Sequence, residues 1–194
     1  MERRPGPIIH INGYPGIGKY TIAKRLTELF PHLKLVHNKL FTDLADALVP
    51  RGTEDHFKVW ENFREISFQP ILHSDDTFDY GYIFTNFMPN DDDSPVVMRD
   101  YIEAAECGDD RQREFIAITL VCTEQENVRR LVSVERQQNG KLTDPEQLRI
   151  CRATIESRHD YLEGCHHVID VTNLEVEAAA LAVARCLGLN DSRE

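Results

Sequence analysis

Apolar positions along this chain switch between two periods. Short apolar runs read as buried strands: Ile8 to Asn12, Leu33 to His37, Asp79 to Thr85, Glu114 to Val121 and Val168 to Val171. Between them, apolar residues recur at helical spacing. A first helix runs from near Gly18 to about Phe30 through Ile22, Ala23, Leu26 and Leu29, and Pro31 stops it. A second spans about Phe41 to Leu48, closed by Pro50-Arg51-Gly52. Glu54 to about Gln69 is amphipathic, with Phe57, Trp60, Phe63 and Phe68 as core residues and Pro70 ending or kinking it. Further helices are predicted near Val96 to Glu106, Glu124 to Arg136 and Leu174 to Leu187. Thr143-Asp144-Pro145-Glu146 has capping-box spacing with an early proline, and opens a helix through Leu148, Cys151, Ile155 and Leu162. Alternating strand and helix predicts an α/β fold, a parallel sheet covered on both faces.

The 194 residues suit one domain, 1–194, with room for a lid and a sizeable core. A net charge of −11 argues against general binding to nucleic acid or an anionic membrane. Met1 to Pro7 has no apolar stretch behind its charges, and the longest apolar run, Ala178 to Ala184, is too short to span a bilayer. The five cysteines are scattered without a C-x-x-C pair, so zinc and a disulfide framework are not expected and a cytoplasmic setting is.

One loop carries most of the chemistry. Gly13-Tyr14-Pro15-Gly16-Ile17-Gly18-Lys19 comes after the first strand, opens the first helix and fits the phosphate-loop pattern G-x-x-x-x-G-K-[S/T] up to its last place. Glycines let backbone N–H groups converge on phosphates, the helix start adds its dipole, and Lys19 adds a full charge. The place after the lysine, where a Ser or Thr normally holds magnesium, is here Tyr20, with Thr21 one residue later, about 100° further round the helix. Thr21 is then a phosphate contact or a weak metal ligand.

Ligands of parallel sheets gather at the carboxyl ends of strands. After strand two stand His37 and Asn38, which either bind or deprotonate an acceptor or merely close their own loop. Asp43 is a candidate general base or a solvated helix residue. After strand three come Thr85, Asn86 and the run Asp91 to Asp93, a solvated turn before Pro95 unless Asp91 serves a metal. After strand four come Arg129, Arg130 and Arg136, surface ion pairs or parts of a lid spanning 124–145. Thr172 stands after strand five.

These residues resemble the P-loop kinase superfamily, in the branch that holds nucleoside monophosphate kinases, shikimate kinase, chloramphenicol phosphotransferase and zeta toxin. More narrowly, three stretches look like small "AAA family ATPase" or kinase-like proteins of bacteria and fungi. These are Gly13 to Thr21, His37-Asn38-Lys39-Leu40-Phe41-Thr42-Asp43-Leu44, and Arg130 to Arg136 together with Gly140 to Pro145. The resemblance implies a three-layer α/β/α fold, a five-stranded sheet ordered 2-3-1-4-5 and a lid after strand four. It also implies phosphoryl transfer from ATP, with Mg2+, to a small acceptor. Within it, Gly13 to Thr21, Arg129 and Thr172 hold the nucleotide. Lys19, Asp43, Arg130 and Arg136 serve catalysis, His37 and Asn38 hold the acceptor, and Thr21 and Asp91 are the candidates for metal. Two rival functions stay open: a nucleotide-binding module without turnover, favoured by Tyr20 and the uncharged end of strand three, and a kinase acting on a macromolecule, which the acidic charge disfavours.

Overall fold

The computed structural model describes residues 4–88, 94–106, 111–138, 141–154 and 165–189. Five parallel strands form one sheet in the order β2-β3-β1-β4-β5. They are β1 (Ile8–Asn12), β2 (Leu33–His37), β3 (Gly81–Thr85), β4 (Phe115–Val121) and β5 (His166–Asp170). β1 lies at the centre, with Ile9 level with Ile83 on one side and Ile116 on the other. The helices are α1 (Lys19–Leu29), α2 (Lys39–Leu48), α3 (Glu54–His73), α4 (Ser94–Glu106), α5 (Glu124–Leu131), α6 (Val134–Gln138), α7 (Pro145–Thr154) and α8 (Val176–Cys186).

Successive strand side chains point to opposite faces, and the two faces collect two cores. Ile9, Ile11, Ile83 and Ile118 pack against Ile22 and Leu26 of α1 and Ala180 and Val183 of α8. Ile8, Tyr82 and Phe84 pack against Phe68 of α3 and Met98 and Tyr101 of α4. Each such buried side chain contributes on the order of 1.5–3 kcal/mol. This is the predicted α/β/α arrangement with the predicted strand order.

Several boundaries differ, β5 running two residues earlier than expected at its start and α8 starting two residues later, and three of the differences have a local cause. α3 continues past Pro70 to His73. The carbonyl that Pro70 cannot serve belongs to Ile66, which is 66% exposed, while buried Ile71 draws the last turn onto the core. The helix expected from Glu124 to Arg136 is two helices, α5 and α6, broken at Val132 and Ser133. Leu131 is buried against the phosphate loop, and the Ser133 carbonyl accepts from Arg136 N at 3.1 Å to begin a new turn. α7 is capped by Asp144 rather than Thr143: its carboxylate accepts from Glu146 N at 2.8 Å and Gln147 N at 3.4 Å. Ile155 and Leu162 of the predicted helix, and Asp91 with its acidic neighbours, lie outside the described residues. Among the described residues no helix is long and apolar enough to cross a membrane.

Two buried polar residues of β1 tie the central strand to its neighbours. The Asn12 carboxamide oxygen accepts from Gly13 N at 2.7 Å and Met88 N at 2.8 Å, and its NH2 donates to Met88 O at 3.0 Å. The phosphate loop is thereby joined to the segment after β3. His10 stacks on Tyr101 and bonds to Asn86. Burial pushes the His10 imidazole down to about 4, against the Asn86 bond, with Lys19 assisting.

Candidate functional site

The loop between β1 and α1 is shaped by glycine. Gly13, Gly16 and Gly18 all take positive φ, at 141°, 87° and 113°. A Cβ on Gly16 would lie 2.9 Å from Leu131 Cδ1 and 3.1 Å from Asn127 Nδ2. Gly18 caps α1 without a side-chain bond, and the first turn holds no acid. The residues of that turn line the cleft, and a helix start with orphan N–H groups favours an anion. Lys19 folds back over the loop: its ammonium donates to Gly13 O and, at 3.1 Å, to Tyr14 O. Burial, then Arg136 and Lys141, pull its pKa down to about 7 against an opposing contribution from Cys151. Phosphate oxygens would replace those carbonyls and restore the charge.

The loop is braced from α5 and α7. Buried Asn127 donates from Nδ2 to Pro15 O at 2.9 Å and accepts from Arg152 Nη1 at 3.0 Å. Arg152 also donates to Cys122 O at 3.2 Å and lies 4.8 Å over the Tyr14 ring. Arg130 reaches further. It donates to Ile17 O at 2.9 Å and Val171 O at 2.7 Å, and from Nε to Glu126 at 2.6 Å. The predicted lid arginine therefore clamps the loop to the end of β5 in this state. Glu126 is held down to about 2 by its bonds to Arg129 and Arg130. Arg129 itself is 72% exposed. Arg136 donates to Leu142 O at 3.2 and 2.9 Å. The Thr172 hydroxyl accepts from Thr123 N at 3.1 Å and donates to Asp170 at 2.6 Å.

Across the loop lies a second polar wall. Asn38 N donates to Thr85 O at 3.0 Å, joining α2 to the end of β3. The Trp60 indole N–H donates to Asn38 Oδ1 at 3.1 Å. An indole is a donor only, so the Asn38 oxygen is committed, and its NH2 keeps a single long contact of 3.5 Å to Thr42 Oγ1. Asn38 thus offers donors to the cleft. Trp60, expected as a core residue, is instead a positioning residue, itself backed by the Arg64 guanidinium 4.7 Å from its ring and the Arg64–Asp100 ion pair. Asp43 pairs with Lys39 and is 54% exposed. Burial and then Lys141 lower the His37 pKa, with Asp43 opposing. At neutral pH the ring is uncharged and holds a lone pair. The Tyr20 ring meets His37 edge-on at 5.0 Å and has the Lys141 ammonium 4.4 Å from its centroid.

These walls enclose a cleft of about 750 Å³. It runs from Thr172 to Val176 and Ala179, past Pro15, Gly16 and Gly18 to Ile22, to His37, Asn38, Lys39 and Thr85 to Phe87. Of the predicted residues, Pro15, Gly16, Gly18, Lys19, Tyr20, Thr21, His37, Asn38, Arg129, Arg130, Arg136 and Thr172 line it. Gly13, Tyr14 and Ile17 lie behind the wall, Asp43 lies beyond it, and Asp91 falls outside the described residues. Lys19, Lys39, Arg129, Arg130, Arg136 and Lys141 face two acids, Glu126 and Glu175, so a chain of net charge −11 presents a cationic cleft. Asn12, Asn127, Arg152 and Trp60 were not foreseen as parts of the site. Their signal is partnership across the fold, which spacing along the chain does not carry.

The kinases that the loop resembles bring magnesium with the nucleotide. A hard dication needs oxygen donors. Thr21 offers a hydroxyl on an exposed position, the Tyr20 ring is engaged by His37 and Lys141, and β3 ends in Thr85 and Asn86. Asn86 Oδ1 is bonded to His10, and Glu126 is held by two arginines. Among the described residues no group of three or more His, Cys, Asp or Glu side chains is placed to hold a metal. The described residues do not fit a magnesium ion held by the protein's own side chains.

No protein-family model matches the chain, and no curated protein matches it by sequence. Solved structures do match. A candidate kinase from Chloroflexus aurantiacus J-10-fl superposes with a TM-score of 0.66 at 20% identity, over 96% of this chain and 98% of that one. A sugar kinase from Janibacter sp. HTCC2649 gives 0.60 at 16% identity, over 97% and 98%. The tunicamycin resistance protein of Deinococcus radiodurans gives 0.59 at 19%, over 95% and 97%. The chain shares its fold with these structures over 95–97% of its length.

Proposed function

We propose that this protein is an ATP-dependent phosphotransferase acting on a hydroxyl, or a similar nucleophile, of a small molecule. The observation that carries the reading is one cleft that joins a glycine-shaped, uncapped helix start holding Lys19 to a separate donor-rich wall at His37 and Asn38. ATP lies along Gly13 to Thr21, its base toward Thr172 and Arg129. Lys19 and Arg136 stabilise charge on the transferring phosphoryl group, and Arg130 holds the loop that presents its N–H groups. His37, kept neutral by burial and Lys141, accepts the acceptor's proton, while the Lys39–Asp43 pair sets the charge around it. Residues 124–145 act as the lid. Catalysis is mostly positioning and electrostatics.

Two of the structural neighbours are a gluconokinase from Sinorhizobium meliloti 1021 and a sugar kinase, which makes sugars and sugar acids the first acceptors to try. The test is transfer of the γ-phosphoryl of labelled ATP to a panel of polyols, sugars and hydroxy acids. Labelled product that His37→Ala reduces at least tenfold is expected; tight ATP binding with no transfer to any acceptor contradicts it. That second outcome is the signature of a nucleotide-binding module without turnover, a reading favoured by Tyr20 and the uncharged Thr85–Asn86 end of β3.

A further inference from the structure

The wall across from the phosphate loop is made by the ends of two adjacent strands, and those ends match. His37 of β2 stands level with Thr85 of β3, and an asparagine follows each of them, Asn38 and Asn86. Both line the cleft. Each has its carboxamide oxygen tied by a ring N–H. Trp60 Nε1 donates to Asn38 Oδ1 at 3.1 Å, and the fully buried His10 bonds through Nε2 to Asn86 Oδ1. An amide oxygen only accepts, so both rings donate. What remains of each amide is its NH2. Asn38 Nδ2 keeps the long contact of 3.5 Å to Thr42, and Asn86 Nδ2 has no hydrogen-bond partner among the described residues.

This wall lacks a side chain that only accepts. Among the described residues the acids lining the cleft are Glu126 and Glu175, both on the opposite side, and Asp43 is paired with Lys39 beyond the wall. The hydroxyls of Tyr20, Thr21 and Thr85 donate as well as accept. A neutral polyol brings a proton on every hydroxyl, and the lone pair of His37 serves one of them. A buried hydroxyl proton without an acceptor is penalised. An oxyanion brings lone pairs and no proton, and a hydrogen bond to it is roughly twice as strong as a neutral one. Lys39 is neutralised by Asp43, so the selection comes from the amides.

We propose that the acceptor carries an oxyanion, a carboxylate or a phosphate, and that Asn38 and Asn86 hold it through their NH2 groups. The inference rests on the acceptor reading of this wall, and it makes Asn86 a specificity residue beside Asn38.

The test uses probes that share one small polyol core: glycerol, glycerate and glycerol phosphate. Each is titrated into the full chain with the phosphate loop filled by a non-hydrolysable ATP analogue. Side-chain NH2 signals in NMR spectra report the two amides and are assigned by their loss in Asn38→Asp and Asn86→Asp. At least one anion is expected to bind tenfold or more tightly than glycerol and to shift both signals. Which anion does so separates carboxylate from phosphate. Asn38→Asp and Asn86→Asp keep an oxygen for Trp60 or His10 and lose the donors. Each should lower the anion preference by about tenfold and leave glycerol within about twofold, with melting curves confirming that the variants are folded. Anions that bind no better than glycerol, or that leave both NH2 signals unmoved, overturn the inference. A preference unchanged in both Asp variants overturns it too. If the ATP analogue fails to bind, the proposed function falls, and glycerate titrated into the unliganded chain, read at the same two signals, still decides this inference.

Discussion

The two halves of the cleft are built on different principles. The half proposed to take the nucleotide is held by side chains that grip main-chain carbonyls: Asn127 on Pro15, Arg130 on Ile17 and Val171, Arg152 on Cys122. The half proposed to take the acceptor is held by side chains that grip other side chains: Trp60 on Asn38, Arg64 against Trp60, Lys39 on Asp43, Tyr20 against His37. Carbonyl contacts fix a backbone path whatever the neighbouring side chains are, as suits a phosphate group recognised by N–H groups. Contacts between side chains change with each substitution, as suits a wall that decides which acceptor enters. α2, which carries part of that wall, also leaves Leu40, Leu44 and Leu48 exposed, so this half is the less firmly packed.

The contrast can be broken hardest at the carbonyl-braced half. Gly16→Ala would place a Cβ at a φ of 87° and within 2.9 Å of Leu131. The expected loss is about 2–4 kcal/mol of stability, read as a lowered denaturant midpoint. The same substitution at Gly52, also at positive φ but with nothing within 4 Å, should cost much less.

Acid tests the residue beneath both halves. His10 has a folded pKa near 4, below its ordinary 6.5. The folded state therefore binds fewer protons than the unfolded one between these values, and stability should fall as pH drops from 6.5 to 4. The loss should approach about 3 kcal/mol, measurable by urea unfolding across that range. A flat stability profile would contradict the burial of a neutral imidazole.

A smaller effect separates the halves by function. Lys19 is near 7 in this structure, and bound phosphates raise it, so ATP binding takes up a proton. Affinity should weaken about fivefold from pH 7 to pH 8, with matching proton uptake in buffers of different ionisation enthalpy. Trp60→Phe keeps the ring over Arg64 and removes the N–H to Asn38. It should raise the acceptor KM about five- to tenfold, the worth of one lost hydrogen bond, and leave ATP affinity alone. A loss of ATP affinity instead would show that the two halves are not independent.

The same contrast explains what was legible from the chain. The loop from Gly13 to Lys19 is local, its glycines fall at fixed spacing, and the apolar runs around it announce strand and helix. The sheet order came from the resemblance those residues carry. Arg130 was legible as a charge near the phosphates, but not as a clamp, because its partners Ile17 and Val171 lie far away in sequence. Trp60 sat in an aromatic series at helical spacing and read as core; its N–H has an address only once α2 and α3 are packed. The Asp144 cap was local and visible in principle. Pro145, at home in the first helical turn, points to the residue before it as the cap, whereas the capping-box spacing points to Thr143. Tyr20 read as a defect in a motif, and folding alone brings His37 and Lys141 to its ring.

The central claim is that this cleft binds a nucleoside triphosphate through its phosphate loop. Calorimetric titration of ATP into the protein and into Lys19→Ala tests it most directly. Saturable binding at one site, weakened a hundredfold or more in the variant, is the expected result. Equal affinity in the two proteins, or no binding by the unaltered chain, would contradict it.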